Sequence, residues 1–222
     1  MDIFPRDAVC YWDLEGVLFG ESLVKIGQEY GCEDEMLKIT NAGMNGEIPF
    51  QQSMATRLDI LRRSGITLDK IITAARDVDI ETGAHNTLKE TANFFTNIAL
   101  TGGLDVIVLE ILRYRQLIQY FDRVYASIYF GGNKIQPDKI KPLVEKGEII
   151  KDELNLYRYK HSAFVFDGVG DARAAKSVNL QIAYNPKPEA ARIVAEYENG
   201  QIIRNVNNLN IILPIIMRCR DA

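Results

Sequence analysis

Five apolar residues in a row, Ala8-Val9-Cys10-Tyr11-Trp12, run directly into Asp13-Leu14-Glu15-Gly16-Val17-Leu18. A short unbroken apolar run that ends in a glycine turn reads as a strand buried on both faces, and such strands belong in parallel sheets. Two carboxylates one residue apart are a poor way to end that strand for stability. They suit phosphoryl transfer, provided that further acids and a phosphate-binding turn converge on them.

The same pattern recurs at 98–100, 123–126, 163–166 and 181–184, each run bounded by Gly, Asp, Asn or Pro. Helical patterns lie between them, for example 105–120, with Val106, Leu109, Leu112, Arg113 and Leu117 near helical spacing. Strand–helix alternation predicts an α/β fold with a Rossmann-like parallel sheet covered on both faces. Residues 21–85 differ, being helical in pattern at 22–30, 32–42, 49–64 and 68–78, with turns at Gly31, 43–46 and Ser64-Gly65. Leu68-Asp69 reads as a capped start to the last of these. The block predicts a helical cap (21–85) inserted after the first strand of a core formed by 1–20 and 86–222.

Composition narrows the partners. A net charge of -4 and a pI near 5.4 argue against nucleic acid and anionic membranes. No leading apolar stretch resembles a signal peptide, no run is long enough to span a bilayer, and the apolar segment 211–217 is interrupted by Pro214. Cys10, Cys32 and Cys219 form no even disulfide set and no metal-ligand spacing, so a reducing cytoplasm is expected. Neither His85 nor His161 has a partner pattern for catalysis, and both read as structural or surface residues.

Four sites fall at expected strand ends. They are Asp13/Glu15, Thr101-Gly102-Gly103 before a helix, Lys146 with Gly147-Glu148, and Asp167-Gly168-Val169-Gly170-Asp171. Glycines let backbone N–H groups approach an anion, a helix N-terminus adds its positive end, and lysine is a point charge that suits phosphate. Each also has a plain reading: a strand–helix turn for Thr101-Gly102-Gly103, a solvated helix lysine for Lys146, and helix caps for Asp167 and Asp171.

In order and spacing the four segments resemble the haloacid dehalogenase-like phosphohydrolases, over roughly residues 8–190. The segment from Met44 through Phe50 to Met54, followed by Arg57, resembles the cap of their phosphoserine phosphatase branch. The resemblance implies a phosphatase in which Asp13 attacks phosphorus and Glu15 protonates the leaving oxygen and then activates water. It implies Thr101, Gly102 and Lys146 around the phosphate. It further implies Mg²⁺ held by Asp13, Asp167 and the backbone carbonyl of Glu15, with Asp171 orienting a metal water or anchoring Lys146.

Glu21 and Arg57 would take the amino and carboxylate groups of a small phosphorylated metabolite, beside an apolar wall of Met44 and Phe50; the plain reading of those two is cap core. A monomer or a homodimer is expected. Two positions depart from the family pattern: Glu15 stands where Asp is usual, and Gly170 where Asn is usual. They keep open transfer of phosphate to an alcohol such as homoserine, and a catalytically weak binding module.

Overall fold

The computed structural model describes residues 6–45, 47–143 and 145–221; Gly46, part of the expected 43–46 turn and of the cap segment, lies outside the described residues. The strands are β1 (Ala8–Trp12), β2 (Thr96–Leu104), β3 (Arg123–Tyr129), β4 (Ile140–Lys141), β5 (His161–Phe166), β6 (Leu180–Tyr184) and β7 (Gly200–Ile203). They form one sheet in the order β4-β3-β2-β1-β5-β6-β7, parallel throughout except for the β3–β4 pair.

β1 lies at the centre and is wholly buried. Ala8, Cys10 and Trp12 enter the core on one face, while Val9 and Tyr11 enter the core on the other. The alternation is hidden in the sequence because both faces are apolar, as a doubly covered parallel sheet requires. The two edge strands escape the sequence pattern for the opposite reason. β4 has two residues, and β7 is partly or fully exposed along its length, so neither carries a continuous apolar run.

The structure corrects three local expectations. The 105–120 helix stops early: α6 is Asp105–Tyr114, Gln116 turns into the left-handed region at φ 55°, and a 3₁₀ turn follows at Ile118–Tyr120. Its buried face is Ile107, Val108, Ile111 and Leu112, which within the helix shares only Leu112 with the expected stripe, because the helix packs against β2, β3 and the cap helix at 68–75. The last cap helix starts after Thr67 with no side-chain cap, so Leu68-Asp69 does not cap it.

Four helices follow β1: α1 (Ser22–Glu29), α2 (Glu33–Met44), α3 (Phe50–Arg63) and α4 (Leu68–Ala75). α2 and α3 meet where Gly43 leaves room, since a Cβ there would fall 2.6 Å from Ser53 Oγ. The chain enters and leaves this block side by side, with Phe19 bridged to Ile80 and the Glu81 N–H donating to Leu18 O at 2.7 Å. α5 (Ala84–Ala92) follows this return. α7 (Lys146–Tyr157), α8 (Val169–Ala174) and α9 (Pro188–Val194) cover one sheet face, and α5, α6 and α10 (Leu213–Asp221) the other.

One buried amide ties the sheet to α5 and to the 3₁₀ turn at Ile118–Tyr120. Asn97 accepts from Trp12 Nε1 at 3.0 Å, and its Nδ2 donates to Thr91 Oγ1 at 3.1 Å and to Tyr120 O at 3.1 Å. Asn97→Leu takes this partner from Trp12 Nε1 and Tyr120 O in a largely dry interior, where each orphan costs about 1–3 kcal/mol. Urea unfolding is expected to show a loss of about 2–4 kcal/mol with an unchanged m-value.

Candidate active site

Asp13 extends β1 by one ladder bond, its N–H donating to Val165 O at 2.9 Å, and Asp167 stands just past the end of the neighbouring β5. The chain after Asp13 then turns sharply. Leu14 O accepts from the Leu18 N–H at 2.8 Å, and Gly16 sits at φ +83°. A Cβ on Gly16 would fall 2.4 Å from the Asp167 carboxyl, so glycine here allows the two strand ends to close on each other.

Lys146 stands between the acids, its Nζ 3.0 Å from Asp13 Oδ1 and 2.8 Å from Asp171 Oδ1. It is the first residue of α7 rather than a strand-end residue, so the expectation of a strand there is corrected. A cation at a helix N-terminus opposes the helix dipole; the two carboxylates offset that cost. Burial works against the ammonium, but Asp13 and Asp171 outweigh it and hold its pKa above the usual lysine range.

Burial, and then the charge of Asp171, push the Asp13 carboxyl well above its ordinary value, against the opposing pull of Lys146. Asp167 is raised to about 6, first by burial and then by Asp171. The buried acids thus outnumber the one lysine among them, and a hard cation would complete their charge balance. Among the described residues no three His, Cys, Asp or Glu side chains make a ready metal cage. The donor set still fits Mg²⁺, which takes one or two carboxylates and keeps several waters.

Thr101 and Gly102 face the acids from β2. The strand runs through Thr101-Gly102-Gly103 to Leu104, so these residues are not the expected strand–helix turn; the register with β3 shifts between Leu100 and Leu104 instead. Thr101 is buried and its Oγ1 accepts from the Gly103 N–H at 3.0 Å. The Phe50 ring from the cap lies over Gly102, where a Cβ would come within 2.6 Å of it.

From the cap side, Arg57 is only 4% exposed, yet its polar contacts are thin. Its Nη1 lies 3.8 Å from Glu21 Oε2 and 3.4 Å from Thr40 Oγ1, and its Nε has no partner. Glu21 is raised to about 7, first by burial and then by the charge of Glu15, with Arg57 pulling the other way. Phe50 is 47% exposed, so it is not cap core.

One cavity of about 370 Å³ is lined by Asp13, Glu15, Glu21, Met44, Phe50, Arg57, Thr101, Gly102, Lys146, Asp167 and Asp171, and so gathers every expected site residue. It is also lined by Lys187, which the sequence reading missed. The Lys187 N–H donates to Asp167 O at 3.1 Å, and its charge pulls the Asp167 carboxyl down. The loop 185–188 follows a strand, and the rule that singled out the other strand ends could have found it. His85 packs edge-on against Tyr120, away from the cavity lining.

No family model matches the chain. A phosphoserine phosphatase from Methanocaldococcus jannaschii is 28% identical over 175 residues, covering 76% of this chain and 80% of that protein. A solved structure of a phospho-aspartyl intermediate analogue of phosphoserine phosphatase superposes with a TM-score of 0.78 at 26% identity, over 94% of this chain and 98% of that one. A substrate-bound phosphoserine phosphatase complex gives the same TM-score and identity, over 94% of this chain and 97% of that one. The fold is that of the haloacid dehalogenase-like phosphohydrolases. In sequence and fold the chain is similar to the phosphoserine phosphatase branch of that class.

The raised Asp167 pKa has a consequence for the metal-free protein. The folded state holds this proton more tightly than the unfolded state, so the stability it gives is present below about pH 4 and lost as pH rises through about 6. In EDTA, wild type is expected to lose about 2 kcal/mol relative to Asp167→Asn between pH 4.5 and 7.5. Paired urea titrations at the two pH values check the difference, and added Mg²⁺ is expected to restore wild type alone at the higher pH.

Proposed function

We propose that this chain hydrolyses phosphoserine or a close small phosphomonoester bearing an ammonium and a carboxylate, through an aspartyl phosphate on Asp13. The observation that carries the reading is one cavity that holds the Asp13–Lys146–Asp171 triad at one end and a buried, under-partnered Arg57 beside Glu21 at the other. A phosphomonoester resists attack because its oxygens repel nucleophiles, so catalysis is positioning and charge neutralisation.

Lys146 pulls the Asp13 carboxyl toward its ionised form, against burial and Asp171, and places a positive charge where non-bridging phosphate oxygens would sit. The Thr101 hydroxyl and the Gly102 N–H complete that cradle. Asp13 attacks phosphorus, its bond to phosphorus forming as the ester P–O bond breaks, and Glu15 gives the leaving oxygen a proton. Glu15 then takes a proton from the water that hydrolyses the aspartyl phosphate. Asp171 keeps the lysine in place. The oxygens of Asp13 and Asp167 and the main-chain carbonyl of Glu15 would hold Mg²⁺, which when bound neutralises charge on the transferring phosphoryl group.

Arg57 presents free donors to a carboxylate, and Glu21 faces an ammonium, with Met44 and Phe50 as the apolar wall. The helical block 21–85 acts as a cap over the site. The described residues contain no helix long and apolar enough to cross a membrane, and the three cysteines are free, which supports a cytoplasmic setting.

Asp13→Asn is expected to abolish Mg²⁺-dependent phosphate release from phosphoserine; turnover equal to wild type would sink the mechanism. Arg57→Ala is expected to raise KM for phosphoserine at least about tenfold, the loss of one charge-assisted contact, while leaving KM for a phosphate ester without a carboxylate within about twofold. A panel of phosphoserine, phosphothreonine and sugar phosphates, scored for released phosphate, checks both.

A further inference from the structure

Glu15 is held by a residue outside every motif described so far. Its Oε1 accepts two hydrogen bonds from Ser22, one from the backbone N–H at 2.9 Å and one from the hydroxyl. Its Oε2 is turned toward Gly103, where a Cβ would lie 3.0 Å from it. Ser22 is the first residue of α1 and is 2% exposed. Its N–H is one of the donors a helix start leaves unpaired, and Glu21 before it supplies no side-chain cap.

The two oxygens of Glu15 are therefore unlike. Two donors occupy Oε1, so a proton carried by this carboxyl resides on Oε2. We propose that Ser22 is a positioning residue for the acid/base step: it fixes Oε2 as the oxygen that exchanges the proton with the leaving group. This rests on the role given to Glu15 under the proposed function. As the Asp13–phosphorus bond forms and the ester P–O bond breaks, the proton moves from Glu15 Oε2 to the departing oxygen. The carboxylate left behind is stabilised by the two Ser22 donors and the positive end of α1.

The arrangement also accounts for a glutamate where an aspartate is usual. The longer side chain reaches the start of α1 with one oxygen, and Gly103 leaves room for the other. Because Ser22 follows Glu21 on the same helix start, a substrate ammonium drawn to Glu21 acts on the segment that aims Glu15. Recognition of the amino group and proton delivery then share one helix turn.

A purely structural Ser22 that caps α1 would, on removal, slow all substrates alike. A positioning Ser22 matters most where the leaving group needs its proton. The test compares kcat/KM, which reports the phosphorylation of Asp13, for phosphoserine and for p-nitrophenyl phosphate in wild type and Ser22→Ala. An alkoxide leaving group requires protonation, whereas p-nitrophenolate departs without it. Ser22→Ala is expected to lower kcat/KM about 10–50-fold for phosphoserine and less than about threefold for the aryl ester, within the range of misplaced acid catalysis. An equal loss on both esters, or no loss on either, overturns the role of Ser22. A wild type that releases no phosphate from either ester in Mg²⁺ instead overturns the proposed function itself.

Discussion

The ammonium of Lys146, 3.0 Å from Asp13 and 2.8 Å from Asp171, is the contact around which the molecule is arranged. Three buried carboxylates at the end of a central apolar sheet would repel one another and take up protons. The lysine makes their proximity tolerable, and it can do so only because α7 starts where the ends of β1 and β5 meet. The sheet order follows the same demand, with the two acid-bearing strands adjacent at its centre and β2, carrying Thr101, on the other side of β1. Stability and reactivity are therefore in tension at one place, and the apolar strands on either side supply the rigidity that sustains it.

The central part of this arrangement was legible in the sequence because each element announces itself by an apolar run and a glycine-rich end. β1 and the helices between Ser22 and Ala75 were readable in this way, since a doubly buried strand is an unbroken apolar run whereas amphipathic helices repeat every three to four residues. The edge strands were not, because β4 is too short and β7 too exposed to carry a pattern. Asp105–Tyr114 was read too long because the left-handed turn at Gln116 needs no glycine and leaves no mark in the residue types.

The site divides in the same manner. Asp13, Asp167 and Lys146 were found through charge beside glycine, whereas Ser22 and Lys187 were missed because a serine opening a helix and a lysine between prolines look ordinary. Their roles come from three-dimensional neighbours: a carboxylate seven residues earlier for Ser22, and the backbone of Asp167 for Lys187. Thr101 was found for a reason that needed revision. Its hydroxyl is at the site because β2 continues through the glycines with a register break, not because a helix begins there.

Gly102 is usually thought of as a donor of its N–H, but here it is also a floor. The Phe50 ring rests where a side chain at position 102 would be, so the depth to which the helical block settles is set by a missing methyl group. Any larger residue at 102 would act as a wedge, holding the aromatic gate ajar. The helical block would then sit higher over the cavity, and the Asp13 end of it would open to solvent.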